Sequence, residues 1–102
     1  MKIKITVLKK TFYPEYADAH INPEIVSGPC SLFNEGDEFI YTGNAEMPEG
    51  FCTWAWLDIF RVVNGLESGA NYMPLYNANG KHISCCTDGI RPVIFKVERI
   101  EE

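Results

Sequence analysis

Basic residues are scarce in this chain. Lysine and arginine total 9 against 14 acidic residues, for a net charge of −5. Nucleic-acid binding draws much of its affinity from neutralised phosphates, so a binder should carry a basic stripe. The single basic cluster is Lys2, Lys4, Lys9 and Lys10. It falls on and just after an alternating segment, where lysines at every second position form a solvent face. No nucleic-acid partner is expected. Long apolar runs are also missing. The N-terminal MKIKITVLKK alternates apolar residues with lysine, unlike the continuous apolar stretch of a signal peptide. No window approaches the ~18–20 apolar residues needed to span a bilayer. A cytoplasmic protein with no membrane partner is expected, in a compartment that keeps thiols reduced. There is no C-x-x-C pair, no phosphate loop, no nucleophile elbow and no paired-histidine metal motif.

What is present suits one small globular unit. At 102 residues the chain is the size of one domain, residues 1–102, with no repeat or linker. Aromatics reach 13%, which helps a small core because each ring buries a large area. Residues 2–9 alternate strictly, with Ile3, Ile5 and Val7 on one side and Lys2, Lys4 and Thr6 on the other, which is a half-buried strand. Pro14 opens a short helix, at a tolerated first-turn position. Gly36-Asp37 reads as a turn into a strand over residues 38–42, with Phe39 and Tyr41 on one face.

The strongest helix covers residues 51–66. Phe51, Ala55, Ile59, Val62 and Leu66 recur at helical spacing, and Trp56, Phe60 and Val63 widen the stripe. Asp58 and Arg61 are spaced to pair on the remaining face. So wide an apolar arc predicts either a sandwiched helix or a second face that meets another subunit, and a homodimer is expected. Residues 67–80 read as a long irregular loop. The C-terminal segment reads as a β-hairpin about Asp88-Gly89, a favoured turn pair. Pro92 is placed near the start of its second strand, where proline is tolerated. The expected fold is α+β: a small antiparallel or mixed sheet of four to five strands packed on the helix 51–66 and ending in that hairpin.

The four cysteines are the chemically unusual feature. Cys30 follows Gly-Pro in a loop, Cys52 lies in the first turn of the main helix, and Cys85 and Cys86 end a strand beside the turn. In a reducing compartment they do not read as a disulfide scaffold, which leaves metal, redox or packing roles. As metal ligands, Cys30, Cys52, Cys85 and Cys86 would hold zinc or an iron–sulfur cluster through thiolates. As a redox set, one thiolate attacks and a neighbour resolves. As plain packing they are small buried hydrophobes, a common state of free cysteine. Adjacent strand residues point to opposite faces, so one of Cys85 and Cys86 is expected at a shared site and the other away from it. His82 is a further candidate ligand or base. Asp37 and Asp88 are each explained by a turn. Trp54 and Trp56 read as core or interface.

The segments GPCSLFNEGDEF, PEGFCTWAWLDIF and CCTDGIRPVIFKVERI together resemble a family of small cysteine-containing proteins of about ninety residues from anaerobic bacteria and archaea. The resemblance runs from the first strand to Ile100, and CCTDGIRPV is its most specific part. The family's cysteines match Cys30, Cys52, Cys85 and Cys86. No activity, substrate or cofactor follows from it. The functional expectation is a thiol-based metal-binding or redox protein. The alternative is a non-enzymatic interaction or dimerisation domain with structural cysteines. An enzyme using the long loop as a lid is the weakest reading, because no base–nucleophile pair is visible.

Overall fold

The alternation at the N-terminus decides the architecture. Ile3, Ile5 and Val7 form a fully apolar side on strand β1 (Lys2–Lys10), and it must be covered. In the computed structural model, which describes residues 2–100, helix α2 (Thr53–Glu67) covers it. The other elements are α1 (Pro14–His20), β2 (Glu38–Tyr41), β3 (Lys81–Cys85) and β4 (Val93–Ile100). All strand pairs are antiparallel, in the order β2-β1-β4-β3. The fold is the expected α+β one, a four-stranded sheet with one main helix.

The two central strands supply the inner face. Val93, Phe95 and Val97 of β4 lie beside the β1 residues, and Ala55, Trp56, Ile59, Val63 and Leu66 of α2 close over them. Burying a side chain of this size is worth about 1.5–3 kcal/mol, so this two-layer contact dominates the stability. Phe33 knits the loop after α1 into the core, with ring centroids 5.1 Å from Phe51, 5.3 Å from Phe95 and 5.8 Å from Phe39. The outer face of the sheet carries the lysines, with Lys4 and Glu38 3.7 Å apart and Lys96 and Glu98 3.3 Å apart.

The helix differs in detail from its apolar periodicity. Val63 belongs to the fully buried set and Val62 is half-buried. Cys52 is the N-cap residue, just outside the first turn, and Phe51 is buried although it precedes the helix. Asp58 does not pair with Arg61. Its Oδ2 accepts the Thr87 backbone N–H at 2.8 Å, because α2 packs that face towards the β3–β4 connection.

That connection also departs from a tight hairpin. β3 stops at Cys85 and β4 starts at Val93, leaving residues 86–92 between them. Gly89 is not among the glycines with positive φ, so the two-residue turn that Asp-Gly favours is not formed. Side-chain and long-range bonds shape the segment instead. Thr11 donates to the Pro92 carbonyl through its N–H at 3.0 Å and its hydroxyl at 2.6 Å, and the Tyr13 N–H donates to the Ile90 carbonyl at 2.8 Å. These donors follow directly on β1, which pairs with β4 as far as Lys10 and Val93 after a register shift between Val7 and Lys9.

At the opposite end Arg99 holds the long loop. Its Nη1 donates to the carbonyls of Leu66 (2.8 Å) and Ala70 (2.9 Å), and its Nη2 donates to Asn79 Oδ1 (2.6 Å). A cation on the last carbonyls of a helix is favoured by charge as well as by hydrogen bonding. Gly80 lies directly under the guanidinium, at φ +87°, and a Cβ there would stand 2.9 Å from Nη2.

Candidate functional site

Three chain segments that are remote in sequence end beside the N-terminus of α2. The 28–33 loop brings Cys30, Leu32 and Phe33. The start of α2 brings Cys52, Trp54, Ala55 and Asp58. The β3–β4 connection brings Cys86, Thr87, Asp88 and Arg91, and Val93 follows. Together they enclose a cavity of about 180 Å³. Phe33, Ala55 and Val93 belong to the core, so the cavity floor is the edge of the hydrophobic core itself.

Cys30, Cys52 and Cys86 therefore line one space, although 22 and 34 residues separate them in turn. All three are half-buried and free. Cys85 is not among the lining residues. It is the last residue of β3, exposed, with Ile94 as its cross-strand partner. The doublet is divided because consecutive residues of an extended chain face opposite ways. Among the described residues no group of three or more His, Cys, Asp or Glu side chains is placed to hold a metal ion. Of the expected zinc or iron–sulfur ligands, Cys30, Cys52 and Cys86 share the cavity and Cys85 lies outside it.

Cys86 is fixed by the backbone around it. Its N–H donates to the Val93 carbonyl at 3.3 Å, and its sulfur accepts the Val93 N–H at 3.4 Å. Cys52 forms no side-chain cap, and no acidic residue occupies the first turn of α2. The sulfur of the N-cap residue is left to the cavity instead of the helix.

The polar wall is organised by Asp88. Its Oδ1 accepts the N–H groups of Ile90 (2.9 Å) and Arg91 (3.0 Å), and its Oδ2 accepts Arg91 Nε (2.9 Å). Partial burial alone pushes this carboxyl up, but the donors from Arg91 and Ile90 and the Arg91 charge outweigh it and hold the group below its ordinary value. Asp58 anchors the same segment from the helix side through Thr87. Both carboxylates thus have chain donors. Arg91 is held by Nε, and among the described residues its two terminal nitrogens have no hydrogen-bond partner. The cavity mouth is apolar at Leu32, 66% exposed, and Trp54, 76% exposed. Leu57, one turn along α2 from Trp54, is 71% exposed outside the lining.

His82 lies away from this cavity. Its ring packs against Tyr72 (5.0 Å) and Tyr76 (5.3 Å), and Nδ1 is 2.6 Å from Ser84 Oγ. Burial pushes its pKa below the ordinary histidine value. Tyr76 also covers the outer edge of β3, its hydroxyl accepting the Ile83 N–H at 3.0 Å and donating to the Ile83 carbonyl at 3.4 Å. A satisfied edge strand is protected against unwanted pairing. His82 and its tyrosines therefore belong to the seam between β3 and the long loop.

Arg91, Asp58 and the Trp54 rim are cavity residues that the sequence reading did not select. The Asp88–Arg91 spacing of three residues was the available signal, and the turn explanation of Asp88 hid it. No family model, curated protein or solved structure matches this chain.

Proposed function

We propose that the protein is a thiol-based redox protein that exchanges electrons with a small disulfide admitted to the cavity beside α2. The observation that carries this reading is the meeting of Cys30, Cys52 and Cys86 on one cavity, with Cys85 outside it. Exchange needs an attacking and a resolving sulfur that share access to one space, whereas a metal centre needs ligands converging on a point. In the forward direction Cys86, as thiolate, attacks one sulfur of R–S–S–R and expels R–S⁻, leaving a Cys86–S–S–R mixed disulfide. Cys52 then attacks the Cys86 sulfur and expels the second R–S⁻. The two protein thiols are oxidised to one disulfide, the small disulfide is reduced to two thiols, and the protons lost by the cysteines go to the departing thiolates. The setting is a reducing compartment such as the cytoplasm.

The test is stoichiometric. Reduced protein is mixed with a small disulfide, quenched in acid and mapped by mass spectrometry. A Cys52→Ser variant should accumulate the mixed disulfide on Cys86, and a Cys86→Ser variant should form no cavity disulfide. Modification of exposed Cys85 alone, with the cavity thiols untouched, would remove this reading.

A second reading is favoured by exposed Leu32 and Trp54 at the mouth and by exposed Leu57 one turn further along α2. A cluster of large exposed apolar side chains commonly marks an interaction surface. A homodimer through this patch would close the cavity. Sedimentation at high concentration tests it, with Leu57→Glu expected to restore the monomer.

A further inference from the structure

The two arginines held by hydrogen bonds on this fold are used in contrasting ways. Arg99 directs both terminal nitrogens at chain acceptors. Arg91 lines the cavity and is oriented through Nε by a carboxylate that also receives two backbone donors, and among the described residues its terminal nitrogens have no hydrogen-bond partner. A guanidinium fixed at one edge and open at the other is set up for a planar acceptor, since its remaining donors form a fork matched to a carboxylate. The two lining carboxylates do not compete strongly for that role. Asp88 faces three donors of its own, and Asp58 Oδ2 holds Thr87. Among the described residues, neither terminal nitrogen of Arg91 is taken up by these carboxylates.

Size and surface narrow the ligand further. At about 180 Å³ the cavity is smaller than the roughly 300–1,000 Å³ of pockets for drug-sized ligands, so it takes one half of a small disulfide. Leu32, Phe33, Trp54 and Ala55 offer that half an apolar or aromatic bed.

We infer that the substrate class is a low-molecular-weight disulfide bearing a carboxylate, read by Arg91 while the sulfur meets Cys86. The inference rests on the redox reading and names its specificity residue. Arg91 is a positioning residue here: it orients the disulfide and takes no part in the electron transfer.

The experiment compares two aromatic disulfides of similar reactivity on the full chain, by stopped-flow absorbance of the released thiol. Dithiobis(nitrobenzoate) carries a carboxylate on each ring, and dithiodipyridine carries none. A Cys85→Ser background removes the exposed thiol. Arg91→Gln is expected to slow the carboxylate-bearing probe about tenfold and the neutral probe less than twofold, the loss typical of one charge-assisted recognition contact. Arg91→Lys should restore only part of the lost rate, because it keeps the charge but gives up the fork and the Nε bond to Asp88. A merely structural role predicts that both probes change by the same factor in both variants, and that result would overturn the inference. Equal rates for both probes in the parent protein, with no effect of Arg91→Gln, would overturn it too. Failure of the cavity thiols to react with either probe would instead sink the redox reading beneath it, so the two failures are distinguishable.

Discussion

Replacing Asp88 with alanine is the sharpest probe of how the thiol cavity is built. One carboxylate organises residues 86–92, where the expected tight turn is absent. Asp88→Ala removes the acceptor of two backbone N–H groups and of Arg91 Nε. A hydrogen bond to a charged group contributes about 1.5–3 kcal/mol when buried. Asp88 is 36% exposed, so water replaces part of each lost contact and the low end applies. The freed N–H groups reach solvent once the loop opens, so the three contacts do not add in full. The expected cost is about 2–3 kcal/mol. At a urea slope of ~1.5 kcal/mol/M the unfolding midpoint falls by about 1.3–2 M. Asp88→Asn retains an acceptor for the backbone donors and should lose about half as much.

The pH dependence supplies an independent check. The Asp88 carboxyl is held below its ordinary value in the fold, so the stabilisation is fully present above the unfolded-state pKa of about 4. It is lost as the pH falls through the lower folded value. The gap between parent and Asp88→Ala midpoints should therefore be full at neutral pH and should close in acid. The third readout is Cys86, which should label faster as its segment loosens. A neutral-pH stability within about 0.5 kcal/mol of the parent, with unchanged Cys86 labelling, would refute the reasoning, since that is the ordinary scatter of surface substitutions.

Further outcomes follow from three other residues. Tyr41 is buried, with its hydroxyl donating to Glu67 Oε1 at 3.0 Å and accepting the Ala45 N–H at 2.9 Å, so Tyr41→Phe should cost about 1–2 kcal/mol in denaturant unfolding. Burial, with Glu67 adding to it, pushes its phenol up, so ultraviolet titration should leave this tyrosine protonated above the ordinary range. Gly80→Ala should destabilise by more than the usual helix or strand change, because it combines a left-handed φ with a Cβ 2.9 Å from Arg99, and calorimetry should show a lowered Tm. His82 is held neutral by burial, so protonation opposes folding. The unfolded chain binds that proton near pH 6.5 and the folded chain only at lower pH, so stability falls as the pH drops through this window. His82→Phe should lessen that fall in midpoint measurements between neutral and mildly acid pH.

Local pattern was enough for most of the architecture. The strict alternation of residues 2–7 required a strand with one buried face, and the 3.6-residue spacing after Phe51 required a helix to cover it. Both periods arise from backbone geometry, and each is written in a handful of neighbouring residues. The division of Cys85 from Cys86 was legible for the same reason, since extended residues alternate. Which of the two faces the cavity depended on how residues 86–92 leave the strand. That in turn is set by Asp88, Thr11 and Tyr13, the last two some 75–80 residues away in sequence. The Asp58 pairing was misread because an i,i+3 partner is visible in one helix, whereas the Thr87 N–H reaches Asp58 only after helix and sheet have packed. The sequence alone thus determined the α+β frame and four thiols in the chain. Only the tertiary structure decided that Cys30, Cys52 and Cys86 share one cavity with a half-free Arg91, because loop ends from three remote segments meet only once the core beneath them has closed.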